Sequence, residues 1–342
     1  MVYLKPMVGL DSMSKKIYKW IIAGPGGIAT SMYSDMKKTG KVHISGVLGS
    51  SEEKSQAAAK AFGAQRSFAT TEDLQEWLLS HSSEVDALYI ATPHSSHYDL
   101  ARIGLEAGIP VLCEKPLTHN SHLTRSLVNL ANQQQVLLME ALWSKFNPLI
   151  RKVWDFIDHG HLGDIRAMEL RFGFPAPFDP NHRLFNPKLG GGAMLDLGIY
   201  PLWLPLAFWG EPYSIQVQGT IASTGVDEAS LVLLGFRNGA MASCHTSLAY
   251  SLDNTAQIMG TKGRIVLEAP WFAPTKARYI PNPGTKDTKP EVWSIPLRGK
   301  GLIYQLEHFH GLLDQGATQS PIHSLQDTLL LSKVMDTIMA NI

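Results

Sequence analysis

Lys115, Asp196 and Tyr200 stand in settings where proton chemistry is possible. Lys115 lies in Glu114-Lys115-Pro116, just past an apolar stretch at 111–113. A lysine at such a strand end can move a proton to a reacting oxygen, because desolvation readily lowers the pKa of an ammonium. The ordinary alternative is a solvated surface lysine. Asp196 and Tyr200 are four apart in Asp196-Leu197-Gly198-Ile199-Tyr200 and share a face if that stretch is helical. Gly190, Gly191 and Gly192 precede it, and their lack of side chains would let the helix start approach a flat ring.

A further motif, Gly24-Pro25-Gly26-Gly27-Ile28-Ala29, sits between an apolar run at 20–23 and an amphipathic one at 28–38. The G-x-G-x-x-A spacing permits a tight turn, close approach of a pyrophosphate to the backbone, and helix packing over a small residue. Gly24, Gly26, Gly27, Ile28 and Ala29 are therefore expected to bind a dinucleotide. At the end of the next apolar run, Val47-Leu48-Gly49-Ser50-Ser51, an NAD-selective site would place a carboxylate for the ribose hydroxyls. None is there. Ser50 and Ser51 can donate to a 2′-phosphate and Lys54 can add charge, so NADP is the expected cofactor, with NAD possible. Alternatively the two serines only cap the helix that follows.

In order and spacing these elements resemble the Gfo/Idh/MocA oxidoreductase family, and within it the dihydrodiol and NADP-linked xylose dehydrogenase branch. The resemblance runs from Tyr18 over nearly the whole chain. It is carried by Thr92-Pro93-His94-Ser95-Ser96-His97, Glu114-Lys115-Pro116, Met139-Glu140-Ala141-Leu142-Trp143 and Asp196-Leu197-Gly198-Ile199-Tyr200. It implies that Lys115 is the cofactor-contacting catalytic lysine and Tyr200 the proton donor or acceptor, with Asp196 beside them. A phenol needs a neighbouring ammonium to act as a base near neutral pH. The resemblance further implies cofactor contacts at Thr92, His94, His97 and Glu114, although His94 replaces the family's asparagine. Trp143 aligns with an aromatic residue of the pocket, and Phe174 is counted with it among the substrate contacts. The implied activity is hydride exchange between nicotinamide and a CH–OH or CH–CH group of a sugar, polyol or dihydrodiol. A non-catalytic NAD(P)-sensing protein on the same scaffold, or a hydrolase or lyase using NAD transiently, are the alternatives. The histidines show no metal-ligand spacing and the cysteines no zinc pairing, so no metal is expected; without a G-x-S-x-G elbow, serine-hydrolase chemistry has no support.

The elements that must position these residues follow from hydrophobic patterning. From 18 to 140, apolar runs at 20–23, 44–48, 87–91, 111–113 and 136–139 alternate with helical stretches at 28–38, 52–62, 72–80, 97–107 and 123–134, which predicts a doubly wound parallel sheet. Beyond Ser144 a helix at 148–159 leads into strands at 167–174, 215–221, 229–236, 240–247, 256–259 and 264–267, with Asn238-Gly239 as a hairpin turn. A helix is also expected over 194–209, and helices at 303–315 and 325–338 close the chain. The Pro-, Gly- and Lys-rich 270–301 is expected to be an exposed connection with one short strand at 292–295. The predicted architecture is thus an α/β Rossmann domain at 17–141, then an α+β domain at 142–342 with a large, open-faced, mainly antiparallel sheet.

Composition excludes other classes. With 44% hydrophobic and 18% charged residues the chain can build a substantial core. Its 30 basic residues balance 30 acidic ones without clustering, which speaks against nucleic acid or a membrane surface as partner. Only Cys113 and Cys244 occur, both in apolar strands, so two reduced thiols and a cytoplasmic setting are expected. Residues 1–16 have no signal-peptide core and are expected to be an extension. Finally, Leu231, Leu233 and Gly235 alternate with Val232, Leu234 and Phe236, so both faces of that strand are apolar and helices can cover only one. A homodimer through the remaining face is expected, with a folded-back 270–301 as the alternative.

Overall fold

A computed structural model describes residues 16–284 and 289–342; the expected 1–16 extension lies, but for Lys16, outside the described residues. Six parallel strands form the first sheet: β1 (Tyr18–Ala23), β2 (Val42–Leu48), β3 (Arg66–Phe68), β4 (Ala87–Ile90), β5 (Val111–Glu114) and β6 (Leu138–Ala141). Their order is β3-β2-β1-β4-β5-β6, so the direction of winding reverses between β1 and β4. Helices α1 (Gly27–Thr39), α2 (Glu52–Phe62), α3 (Thr71–His81), α4 (His97–Glu106) and α5 (Ser121–Gln134) make the crossovers. Side chains set several of their boundaries. Ser51, Thr70 and Asn120 accept backbone N–H bonds at helix starts, while Gly40 and Gly63 take left-handed conformations that end α1 and α2. The three-residue β3 is too short to show periodicity in the sequence.

The second sheet has eight strands: β7 (Ile165–Gly173), β8 (Ser214–Ile221), β9 (Asp227–Gly235), β10 (Met241–Ser247), β11 (Ala256–Gly260), β12 (Gly263–Leu267), β13 (Lys276–Pro281) and β14 (Glu291–Ser294). They run β14-β13-β12-β11-β7-β10-β9-β8, antiparallel except where β7 pairs with β10. Helices α6 (Pro148–Asp158) and α7 (Ile199–Trp209) pack into the core on one face, where Val232, Leu234, Cys244 and Ile258 are buried. The other face carries exposed Leu231, Leu233 and Met241, but the strand register intersperses Gln216, Gln218, Ser243, His245, Glu169 and Arg171 among them. It is more polar than β9 alone suggested, since β9 brings the leucines and its neighbours the polar groups.

Two sequence expectations change. The stretch expected to be an exposed connection holds two paired strands, β13 and β14, and completely buries Trp271 and Ala277; of it, 285–288 lie outside the described residues. Proline and glycine mark turns here, not an unstructured strap. The two domains are also not separated by one cut at 141/142. Helix α8 (Ile303–Asp314) puts Leu306, Phe309 and Leu312 into the core of the first sheet with Trp20 and Met36. Buried Asp35 of α1 fixes it there by accepting the backbone N–H groups of Lys300, Leu302 and Ile303 at 2.8, 3.0 and 3.0 Å. The last helix, α9 (Leu325–Met339), places Leu325 in one core and Leu331, Val334, Met335 and Ile338 in another. The long apolar stretch ending in α7 has membrane-span length, yet 83% of its most apolar window is buried within the protein.

Candidate active site

The strand ends at the reversal point build one wall. Gly24 follows β1 with φ +87°, and a Cβ there would lie 2.6 Å from the Thr92 backbone nitrogen, so only glycine lets the two strand ends close up. Beside Gly26 and Gly27, by contrast, a Cβ would meet nothing within 4 Å. The start of α1 has no side-chain cap and no acidic residue in its first turn. Exposed backbone N–H groups with open space above them suit a pyrophosphate. Ala29 is fully buried, as packing over a small residue requires. Among the described residues the buried Thr92 hydroxyl beside this turn has no hydrogen-bond partner, as expected of a group reserved for a ligand. These residues fit a dinucleotide.

Ser51 is occupied as the cap of α2, accepting from Lys54 N at 3.3 Å. Ser50 is free of that duty; its hydroxyl accepts from Lys54 Nζ at 3.4 Å, and both residues are exposed. Both hydroxyls only accept in these contacts, so the O–H of each, together with Lys54, is available for a phosphate.

Lys115 leaves the end of β5 and donates from Nζ to the Asp196 carbonyl at 2.7 Å and to Asp196 Oδ1 at 3.4 Å. The carbonyl belongs to one widened π-turn, Met194–Gly198, preceding α7. Such turns often occur at functional sites. Buried Asp227 of β9 accepts the Met194 N–H at 2.7 Å and anchors the start of this turn. Arg183, which the sequence reading missed, donates to Asp196 Oδ1 at 2.9 Å. Tyr200 lies below Lys115, whose Nζ is 5.0 Å from the ring centroid, and its hydroxyl accepts from Trp143 Nε1 at 2.9 Å. Phe172 and Phe272 flank the Tyr200 ring at 5.5 and 5.3 Å between centroids. Phe174 stands further out, 6.4 Å from Phe172 and 37% exposed.

The structure thus brings Lys115, Asp196, Tyr200 and Trp143 together. Trp143 donates to the Tyr200 hydroxyl itself, where the sequence suggested only a pocket wall. Phe172 was legible as the same-face neighbour of Phe174. Phe272 fell in the supposed exposed connection, and Arg183 in a loop without pattern.

The charges follow from burial and proximity. Burial opposes ionisation of Asp196, but Lys115 and then Arg183 hold its carboxyl well below the usual range. Burial alone would lower the Lys115 pKa; Asp196, followed by Tyr200 and Glu114, more than offsets this and raises it. That corrects the expectation of a lysine made acidic by desolvation: Lys115 remains an ammonium. Tyr200 is raised by burial, which Lys115 and the Trp143 hydrogen bond only partly oppose, so at neutral pH it is a phenol. Glu114 accepts from Tyr89 OH at 2.7 Å and is pushed up to about 7 by burial.

His94 donates from Nδ1 to Gly190 O at 2.9 Å and is lowered to about 3 by burial, with His97 and Lys115 contributing. His97 lies between Pro116 O, 2.9 Å from Nδ1, and Thr92 O, 3.0 Å from Nε2. It braces the loops that carry Thr92 and Lys115.

The glycine triplet does not open onto a ring. A Cβ at Gly190 would strike His94 Cβ at 2.8 Å, one at Gly191 would strike Leu184 O at 2.8 Å, and one at Gly192 would overlap Asp227 Oδ1. These glycines let the loop close on its own protein.

Comparison with known proteins agrees with this architecture. A model of an oxidoreductase family with an NAD-binding Rossmann fold matches residues 18–142, and the GFO/IDH/MocA C-terminal domain matches 150–266. The chain is 31% identical over 326 residues to trans-1,2-dihydrobenzene-1,2-diol dehydrogenase of Mus musculus, covering 93% of this chain and 95% of that one. Its counterpart in Xenopus laevis is 30% identical over 325 residues, covering 93% and 96%. Among solved structures, levoglucosan dehydrogenase in complex with NADH and levoglucosan superposes with a TM-score of 0.84 at 19% identity, covering 95% and 97%. Aldose-aldose oxidoreductase of Caulobacter crescentus, complexed with glycerol, gives 0.83 at 21% identity, covering 95% and 97%.

Proposed function

The chain belongs to the Gfo/Idh/MocA oxidoreductase family, and on that premise we propose that it interconverts a CH–OH group and a carbonyl on a small sugar, polyol or cyclic diol, with NADP as cofactor and Tyr200 moving the proton. The observation that carries this reading is the juxtaposition of a fixed ammonium, Lys115, with a phenol, Tyr200. Gly24, Gly26, Gly27, Ile28 and Ala29 would hold the pyrophosphate; Ser50, Ser51 and Lys54 the 2′-phosphate; Thr92 and His94 would contact the cofactor nearer Lys115, while buried His97 and Glu114 would support them from behind. When bound, the nicotinamide supplies or takes the hydride.

The protein's part is proton and charge management. In the reducing direction the Tyr200 phenol donates its proton to the substrate oxygen. Lys115 lies over the ring and stabilises the phenolate left behind. Trp143 N–H occupies one lone pair of the phenol oxygen, which leaves the O–H directed elsewhere and helps hold the negative charge. Asp196 positions the ammonium through its carbonyl and carboxylate, and Arg183 shares the carboxylate so that Lys115 is not fully neutralised. In the oxidising direction Tyr200 must first be a phenolate, so oxidation of alcohols is favoured at alkaline pH.

Substrate class follows from the wall. Phe172 and Phe272 stack at 4.2 Å and stand with Trp143 around the phenol, so a substrate with one flat or apolar face fits. The dihydrodiol name of the relatives supports a cyclic diol before an open-chain aldose. The intact Lys115 and Tyr200 weigh against a purely sensing protein.

The same family premise supports a homodimer through the uncovered sheet face with Leu231, Leu233 and Met241, and the two buried free thiols support a cytoplasmic setting. Light scattering tests the dimer: a stable mass of 37.6 kDa in dilute solution would exclude it.

The central test is reduction of NADP+ followed near ~340 nm with trans-dihydrodiols, polyols and aldoses, in the parent and in Lys115→Met and Tyr200→Phe. Each variant should fold and lose roughly two orders of magnitude or more in turnover. Near-normal turnover in both would overturn the assignment.

A further inference from the structure

Glu140 of β6 has no part in the chemistry just described, yet it is a charged side chain only 2% exposed. Its Oε1 accepts the backbone N–H of Leu117 at 2.8 Å. Its Oε2 accepts from His323 Nε2 at 2.7 Å and from Thr328 Oγ1 at 3.0 Å, groups at and just before the start of α9. Leu117 N–H and Pro116 C=O belong to one peptide group, and Pro116 O is the atom beside His97 Nδ1 at 2.9 Å. The Pro116–Leu117 peptide, one residue beyond Lys115, is therefore gripped at both polar ends by buried side chains from two other elements. A buried carboxylate that satisfies three donors is costly to misplace, because each released donor would be left unpaired.

We infer that Glu140, anchored by His323 and Thr328, is a positioning residue that holds the Pro116–Leu117 peptide, and through it the backbone of Lys115, so that the ammonium reaches the Asp196 carbonyl and stands over Tyr200. This rests on the proposed roles of Lys115 and Tyr200. The C-terminal helix, whose sequence carries no chemistry of its own, is then part of the catalytic apparatus. The groups facing the Lys115 ammonium are Asp196, Tyr200, Glu114, Arg183, His94 and His97. Those facing the Glu140 carboxylate are His323, His97, Cys113 and Lys145, with Asp327 behind them.

The test is Glu140→Gln. A carboxamide has one acceptor oxygen, so it can accept from Leu117 or from the His323–Thr328 pair but not from both, and it loses the negative charge that fixes the Nε2–H tautomer of His323. The loop end shifts, and a displacement near ~1 Å at a reacting group costs about a hundredfold in turnover. We expect kcat to fall by roughly ten- to a hundredfold, substrate KM to change little, and the Tyr200 limb of the oxidation profile to move to higher pH. Asp35→Ala is the control for stability. It unpairs the backbone N–H groups of Lys300, Leu302 and Ile303 at the start of α8 and touches neither Glu140 nor its partners, so Tm should fall while kcat and the pH limb stay at parent values. If Glu140→Gln does not fold, Glu140→Asp keeps the charge and reaches only one partner set, and the same limb shift is expected. A parent-like limb and kcat in a folded Glu140 variant overturns the inference. Lys115→Met, run alongside, separates the two failures: if that variant retains turnover, the assignment of Lys115 has failed; if it is inactive while the Glu140 variant is normal, only the positioning role has.

Discussion

Replacing Trp143 with phenylalanine removes the indole N–H from Tyr200 while keeping an aromatic ring in place. That N–H is 2.9 Å from the phenol oxygen, and among the described residues no other side chain donates to it. A hydrogen bond to a neutral oxygen contributes about 0.5–1.5 kcal/mol and one to a charged oxygen about 1.5–3. The difference between phenol and phenolate is then ~1–1.5 kcal/mol, which corresponds to about a tenfold change in the population or rate that depends on the phenolate. Trp143→Phe should therefore lower kcat/KM for alcohol oxidation about tenfold below the Tyr200 limb, and the limb should move to higher pH. At alkaline pH, where the phenolate forms unaided, the two profiles should converge. The smaller ring also loses contact with Phe272 and the chain near Gly301, but that affects stability at every pH alike. The assay is steady-state NADP+ reduction with the best diol from pH 6 to about 10.5, spanning the usual tyrosine range. A loss equal at all pH values, or an unmoved limb, would refute the reasoning.

For cofactor choice, Ser50→Asp should move preference towards NAD by at least about tenfold, since a carboxylate there repels a 2′-phosphate and accepts from ribose hydroxyls; comparison of kcat/KM for the two cofactors decides it, and an unchanged ratio counts against the Ser50 and Lys54 assignment. Gly49, the other natural position for that charge, is unsuitable because a Cβ would lie 2.7 Å from Ser55 Oγ and 2.9 Å from Ser55 N. Asp35→Ala leaves three backbone N–H groups at the start of α8 without their acceptor and should cost about 3 kcal/mol or more, roughly 5–10 °C in Tm; a melt within a degree or so of the parent would contradict the capping role.

Acid should destabilise the fold. His310 accepts from Trp20 Nε1 at 3.2 Å and stacks on Tyr18; burial lowers its pKa to about 3, as it lowers His308 to about 4. Between the unfolded value of 6.5 and these folded values the unfolded chain binds more protons, so stability is full above ~6.5 and is lost as pH falls. Glu114 and Asp227, raised to about 7 and about 6 by burial, act in the opposite sense over part of that range, but His94 adds to the loss. Thermal midpoints should decline from pH 7 to 4, and a flat profile would show that these histidines are not held neutral.

The sequence by itself determined the elements whose signals are local. Apolar runs alternating with amphipathic ones specified the doubly wound sheet, Gly24 to Ala29 marked the tight turn from β1 into α1, and Asn238-Gly239 placed the β9–β10 hairpin. The residue types and spacing of Lys115, Asp196 and Tyr200 marked them as candidates for proton chemistry, because these side chains can exchange or steady a proton near neutral pH when their surroundings shift them. What the tertiary structure alone decided was each group's protonation and partner. Whether Lys115 is lowered by burial or raised by Asp196 depends on distances across 81 residues of chain. Likewise Trp143 was identifiable as an aromatic, but its N–H meets Tyr200 only because β6 and the turn before α7 converge. Arg183, Phe272 and the return of α8 and α9 to the first sheet carried no local signal, and Glu140, though part of a quoted motif, gave no sign of its partners on α9. Side-chain contacts between remote segments are set by packing, and period and composition describe only how each segment presents itself to that packing.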